Sequence, residues 1–225
     1  ARTPAEFALV WTRIRASAIC PRDAGVNRLY SCPDSGEVRM LVLITGLVLF
    51  LGVHSLRVVP GARPALQSAL GETPYKLAYT AISLVGFGLV IYGMMLAQPV
   101  AGTVWAPPVW TRHLAFALVP LGLILIVSAY APGHIRHWVR HPMLAGVMLW
   151  AGAHFLANGE RAALVLFGSF FVWSLVTFVS SWLRETPPPV VKGWGGDLTA
   201  IVLGALAALI IMNLHMYLFG VAIIG

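Results

Sequence analysis

The chain has 225 residues, of which 59% are hydrophobic and only 10% are charged. Soluble domains contain about 25% charged residues, so this composition is typical of a membrane protein. The mean hydropathy of +0.83 agrees with that class. The apolar runs are continuous and do not alternate with polar residues, which excludes a membrane β-barrel. We therefore predict an all-α fold, a polytopic membrane helical bundle of about six transmembrane helices.

The formal net charge of +7 comes from fifteen lysines and arginines that are scattered over short connections between apolar runs. This distribution is typical of residues that set membrane topology, and it does not form a continuous phosphate-binding face. We expect no nucleic-acid partner, and the lipid bilayer is the partner that composition predicts. Most cationic residues fall in the first, third and fifth connections, which predicts that these connections are cytoplasmic.

The uncharged stretches between charged residues predict the spans in chain order. They are residues 40–56, 77–98, 113–135, 141–159, 162–183 and 198–225. A helix of about 17–25 apolar residues can cross a bilayer, and these stretches are compatible with one helix each. Clusters of proline and glycine mark the joints between them.

The first 39 residues differ from the rest of the chain. They hold six arginines and no methionine, and Met40 opens the first apolar run. Their own apolar segment, residues 7–11, is too short for a secretory signal peptide. We predict that residues 1–39 are a disordered or mis-called N-terminal extension and that residues 40–225 form the transmembrane domain.

Histidines are the residues in the predicted spans that could carry chemistry. The candidates are His54, His113, His141 and His154, which lie in or at the ends of three different predicted helices. The acidic residues after Met40 are all predicted in connections, which excludes a di-iron carboxylate site and a buried carboxylate relay. Neutral imidazole is a good axial ligand for haem iron. The alternative, that each histidine bonds a neighbouring carbonyl or reaches the interface, stays open.

Helix geometry restricts the histidine pairs. His141 and His154 are thirteen residues apart, which is a rise of ~19 Å and a rotation of ~220° on one helix. They are therefore not expected to bind the same iron. The predicted depths favour pairing His54 with His141 near the cytoplasmic side and His113 with His154 near the outer side.

A second histidine pattern precedes the fourth span. His134, His137 and His141 share one helical face and are interleaved with Arg136 and Arg140. Such spacing is compatible with a metal site, but it favours a basic amphipathic segment that rests on lipid phosphates. The residues alone leave both interpretations open.

Several strings resemble the NnrU family of integral membrane proteins. They are HSLR (54–57), PPVWTRHL (107–114), YAPGHI (130–135) and RHPMLAGVMLWAGAHFLANG (140–159). The similarity runs from about Met40 to Gly225. It implies a multi-pass protein of a bacterial inner membrane that is linked to denitrification and nitric-oxide metabolism. The family is related to 15-cis-zeta-carotene isomerase, a haem b enzyme, and that relation implies His54 and His154 as axial iron ligands, with His141 as a further candidate.

Three functions follow as hypotheses. The first is a haem-b-binding membrane protein of redox or nitric-oxide metabolism. The second is a haem-dependent cis–trans isomerase that acts on a poly-cis carotenoid, a lipid-soluble small-molecule substrate. The third is a transporter or assembly factor without a cofactor, against which the lack of an internal repeat weighs. The sequence predicts neither the reaction nor the oligomeric state.

Overall fold

The computed structural model describes residues 35–184 and 187–219. Over these residues the fold is helical, with one isolated β-bridge between Thr103 and Glu160. The helices are α1 (Ser35–Ser55), α2 (Ala62–Leu70), α3 (Glu72–Ala97), α4 (Val109–Ser128), α5 (His134–Val139), α6 (Pro142–Ala157), α7 (Arg161–Trp182) and α8 (Trp194–Phe219).

Five of these helices, α1, α3, α4, α7 and α8, are long and apolar enough to cross a membrane. Helix α6 is apolar but has only 16 residues, which is ~24 Å against a hydrocarbon layer of ~30 Å. The prediction of an all-α membrane bundle is confirmed, and five spans with α6 agree with about six transmembrane helices. Short helix α2 has no counterpart in the sequence-based prediction.

Helix α1 begins at Ser35, so the last five residues of the predicted extension are helical. Residues 1–34 lie outside the described part of the chain, and the prediction for them stays a prediction. The acidic residues were all expected in connections, which is wrong for two of them. Glu72 is the first residue of α3, and Asp197 lies in the first turn of α8.

Helix α7 joins two groups of closely packed helices. On one side it contacts α1, which packs along α3. It also contacts α6, which packs along α4, and α4 in turn packs along α8. The histidine-bearing helices α1 and α6 therefore meet at α7, because α7 is the element between the two groups.

Glycines set the close approach within both groups. A Cβ atom on Gly93 of α3 would lie 2.5 Å from the backbone of Leu43 on α1. A Cβ on Gly204 of α8 would lie 2.5 Å from the Cα atom of Ile124 on α4. Such contacts let helix backbones approach in a membrane, where lipid tails are as apolar as leucine and packing replaces the hydrophobic effect.

The distribution of side chains follows from the same physics. The buried residues are mostly small, with alanine, serine and threonine prominent, while many leucines, valines and phenylalanines are exposed on the outside of the bundle. An apolar exterior suits lipid as a solvent. The chain direction places α2, α5 and residues 187–193 at one end, here called the arginine-rich side, with Arg57, Arg63, Arg136, Arg140 and Arg184.

Candidate functional site

His54 lies in the last turn of α1, inside a group of aromatic rings. Its ring centroid is 4.4 Å from that of Phe50, 5.4 Å from that of Tyr79 on α3 and 6.2 Å from that of Trp173 on α7. The Nδ1 atom is 2.6 Å from the carbonyl oxygen of Phe50, one turn earlier. A carbonyl only accepts, so Nδ1 is the donor in this bond, and Nε2 is left free of the helix backbone.

His154 lies in the last turn of α6 in an equivalent state. Its Nδ1 atom donates to the carbonyl of Trp150 at 2.9 Å, again one turn earlier. The ring stacks on Phe167 of α7 with a centroid distance of 4.7 Å. Nε2 is therefore free of the helix backbone here too.

The two imidazoles are connected by a run of aromatic contacts but do not touch each other. From His54 the ring contacts pass to Phe50, then to Phe170 of α7 at 5.9 Å, then to Trp150 at 5.7 Å, which contacts His154. Phe167, Phe170 and Trp173 are spaced by three residues and present one side of α7. His154 contacts α7 at Phe167, and His54 contacts α7 at Trp173. These two positions are six residues apart, which is ~9 Å along the helix.

His141 lies on the arginine-rich side, just before α6. Its ring contacts Phe178 of α7, five residues beyond Trp173, and its Nε2 atom is buried without a partner among the described residues. Burial lowers the pKa of His141, the Ser181 backbone opposes this change, and the charge of Arg57 adds to the lowering. Measured along α7, His54 therefore lies between His141 and His154, and it contacts neither.

The remaining candidate, His113, is exposed near the start of α4. It lies at the end of the bundle opposite the arginine-rich side, as does His154. A histidine that the sequence reasoning missed, His215 of α8, is within electrostatic range of His154. Over residues 35–184 and 187–219, no three histidine, cysteine or acidic side chains form a group that could hold a metal ion.

The histidines in the segment before α6 bind different partners. His137 Nδ1 donates to the carbonyl of Pro189 at 2.8 Å, while His134 Nδ1 is 2.7 Å from a carboxylate oxygen of Asp197. The metal-site interpretation of His134, His137 and His141 therefore has no support in the described geometry. Trp138 of the same segment is 66% exposed, which agrees with a segment at the membrane surface.

Asp197 joins the start of α8 to the start of α5. Its two carboxylate oxygens accept the backbone N–H groups of His134 and Ile135 at 3.0 and 2.8 Å, besides the His134 ring. The side chain is only 7% exposed. Gly133 and Gly196 permit this contact, because a Cβ at Gly196 would lie 2.7 Å from the backbone of Gly133. The sequence contains one signal for such a role, because Asp197 is the last charged residue before an uncharged tail.

We expect Asp197→Ala to lower the melting temperature of the purified protein by about 5–10 °C. Thermal unfolding monitored by tryptophan fluorescence measures this change. The substitution leaves two backbone N–H groups and one ring N–H without an acceptor in a buried place. Glu72→Ala is the matched control, because Glu72 forms an exposed ion pair with Lys76, and such pairs contribute little. Equal melting temperatures for the two variants would contradict the assigned role.

The end of α6 near His154 is held by the turn that follows it. The Asn158 side chain donates to the carbonyl of His154 at 2.7 Å, and Trp105 Nε1 donates to the carbonyl of Asn158 at 3.1 Å. A Cβ on Gly159 would collide with the carbonyl oxygen of Trp105. The residues Ala157, Asn158 and Gly159 thus fix where α6 stops and how His154 is presented to α7.

These features define a class: a polytopic helical membrane protein with histidines on the two helices that flank a central aromatic helix. The chain matches the family model described as NnrU protein over residues 42–223, and it belongs to that family. The resemblance of the sequence strings is thereby confirmed. The comparison with curated proteins found no match, and neither did the comparison with solved structures.

Proposed function

We propose that the protein binds haem b within the membrane and that His54 and His154 supply nitrogen ligands to the iron. The observation that carries the proposal is the shared state of these two imidazoles. Each uses Nδ1 to donate to the carbonyl four residues earlier, so each neutral ring keeps Nε2 available. Histidines that bind metals usually hold their second nitrogen in this way, which fixes the tautomer and the ring orientation.

The surroundings of both rings suit a flat, apolar macrocycle. His154 lies against Phe167 and Trp150, and His54 lies among Phe50, Tyr79 and Trp173. Aromatic side chains exclude water and pack face-on or edge-on against a conjugated ring system. The donor chemistry and the environment therefore fit the cofactor at either imidazole.

Binding of one iron by both histidines at once would require the aromatic rings between them to move. Phe50, Phe170 and Trp150 connect the two imidazoles by direct ring contacts, so these rings would have to rotate to admit the macrocycle between them. His141, whose Nε2 is buried without a partner in the described residues, is the alternative second ligand for His54.

Haem b in this position would supply one-electron transfer or a site for nitric oxide, depending on whether a coordination position stays open. The chain's own residues orient the imidazoles, through the carbonyls of Phe50 and Trp150, and exclude water from them. We therefore propose a role in redox or nitric-oxide metabolism of a bacterial inner membrane.

The test is the absorption spectrum of the protein after expression with ample haem, recorded oxidised and after reduction. We expect a Soret band in the protein fraction and sharp visible bands on reduction, which two histidine ligands produce. A broad five-coordinate spectrum would indicate one ligand. A preparation without a Soret band would overturn the proposal.

A second candidate function is cis–trans isomerisation of a poly-cis carotenoid. It is favoured by an apolar cleft of ≈590 Å³ that opens between the end of α1 and α7. Trp173 lines this cleft and contacts His54, so a lipid-soluble polyene could approach the proposed cofactor from the bilayer. Co-expression with a pathway that accumulates the cis isomer tests it, and unchanged isomer composition would exclude it.

A further inference from the structure

Two neighbouring apolar clefts lie along α7 near its arginine-rich end. The first, ≈590 Å³, lies between Val58 and Val59 after α1 and Val172 and Val176 of α7. The second, ≈440 Å³, lies along α7 itself and shares Val176 with the first. Both clefts are shallow and open to the surroundings of the bundle.

The clefts have the length of one membrane leaflet. From Val172 to Leu183, which line them, α7 rises ~16 Å, about half the ~30 Å hydrocarbon layer. They end on the arginine-rich side, where α7 meets the interface. Linear apolar chains of one leaflet therefore match their direction and extent.

Arg184 and Arg57 lie at the end of the clefts. The Arg184 guanidinium donates to the carbonyls of Arg57 and Val58 at 2.9 and 2.6 Å, and to the Ser180 hydroxyl at 3.2 Å. Val58 lines the first cleft and Ser180 lines the second, so Arg184 lies at the rim of both. Of its five N–H groups, Nε–H and one on Nη1 remain unused within the described residues.

The charge at this rim is not neutralised by the described part of the chain. The Arg57 side chain is exposed, and among residues 35–184 and 187–219 no carboxylate forms an ion pair with Arg57 or Arg184. An anionic group with several acceptor oxygens, above apolar chains, complements this arrangement. Arginine N–H groups form charge-assisted hydrogen bonds with phosphate oxygens, and cationic residues at the cytoplasmic surface attract anionic lipids.

We propose that this rim and the two clefts form a binding site for one anionic phospholipid, with its phosphate at Arg184 and Arg57 and its acyl chains along α7. The proposed site contains none of the candidate haem ligands, although Trp173 lines the first cleft and also contacts His54. The lipid would stabilise the contact between α7 and the end of α1. Helix α7 is the helix whose aromatic rings lie between His54 and His154.

The test uses the full chain, purified in non-ionic detergent, and titrated with fluorescent phosphatidylglycerol or phosphatidylcholine in mixed micelles. We expect tighter binding of phosphatidylglycerol. Arg57→Gln should weaken it about fivefold, as expected for one arginine near a phosphate. Arg112→Gln is the matched control, since Arg112 is also exposed but lies at the opposite end of the bundle.

A second pair of variants probes the clefts and leaves charge unchanged. Val176→Trp places a bulky ring at the residue that both clefts share, a position that is 52% exposed, and Val85→Trp places the same ring on α3 at a position that is 57% exposed. We expect Val176→Trp, and not Val85→Trp, to weaken phosphatidylglycerol binding about fivefold or more. Neither substitution enters a packed interface, so both variants should fold.

Three results would overturn the proposal. Equal effects of Arg57→Gln and Arg112→Gln would mean that only the general surface charge attracts the lipid. Sensitivity to Val176→Trp without sensitivity to Arg57→Gln would indicate a neutral occupant such as a polyene. A change of oligomeric state by Val176→Trp at unchanged lipid affinity would indicate that a second copy of the chain covers the clefts.

Discussion

Replacing His54 or His154 by alanine is expected to remove the six-coordinate haem spectrum. If both histidines bind the iron, either substitution leaves one imidazole, and the reduced visible bands broaden as the iron becomes five-coordinate. Haem retention through purification should fall by more than the roughly 10–100-fold typical of losing a hydrogen-bond partner behind a metal ligand. The measurement is the Soret absorbance per mole of protein, together with the reduced spectrum.

The chain offers two informative comparisons for that experiment. His113→Ala removes an exposed histidine near the start of α4 and should leave the spectrum unchanged. His141→Ala separates the two pairings, because it should matter only if His141, and not His154, is the second ligand of His54. An unchanged spectrum in both His54→Ala and His154→Ala would show that neither histidine binds the iron.

Gly93→Ala is expected to destabilise the packing of α1 on α3 by about 1–3 kcal/mol, the usual cost of overpacking a tight interface. The new Cβ would lie 2.5 Å from both the backbone N and Cα atoms of Leu43. Backbone atoms do not rotate aside as a side chain would, so the two helices must separate. Leu43 is fully buried in the apolar cluster at this interface, and the whole cluster therefore loosens. Thermal unfolding in detergent measures the effect.

Gly88→Ala provides a control on the same helix. A Cβ on Gly88 meets nothing within 4 Å, and alanine is favoured over glycine inside a helix by up to about 1 kcal/mol. The expected change is therefore neutral or stabilising, opposite in sign to that of Gly93→Ala. If both substitutions lowered the melting temperature equally, the close approach at Gly93 would not be the cause.

The sequence allowed part of the candidate site to be predicted. Four histidines could be selected because imidazoles are costly in lipid, and carboxylates were rightly excluded from the middle of the spans. The depth argument placed His54 with His141, while the family resemblance placed it with His154. In the structure His54 lies between the two levels and contacts neither. The predicted span boundaries carry errors of two to four residues. They are therefore too coarse to distinguish the two pairings, because His54 and His154 contact α7 at positions only six residues, or ~9 Å, apart.

Asp197 shows why a contact between distant segments was missed. Its partners, His134 and Ile135, are about 60 residues earlier, and no local pattern connects them. The glycines show the same limit. Gly88 lies on the same helix as Gly93 and is chemically identical, but it faces away from the other helices. Composition identifies small residues, and only the packing decides which of them lie at an interface.

The sequence by itself determined the all-helical membrane class, because 59% hydrophobic residues in uninterrupted runs can satisfy their backbone only as helices in lipid. It also determined the family, through motifs that are local in the chain. The tertiary structure decided which helices are neighbours, and hence that α7 and its aromatic rings stand between His54 and His154. That arrangement depends on the approach of helix backbones at particular glycines, which is a property of pairs of helices and not of any single stretch of sequence.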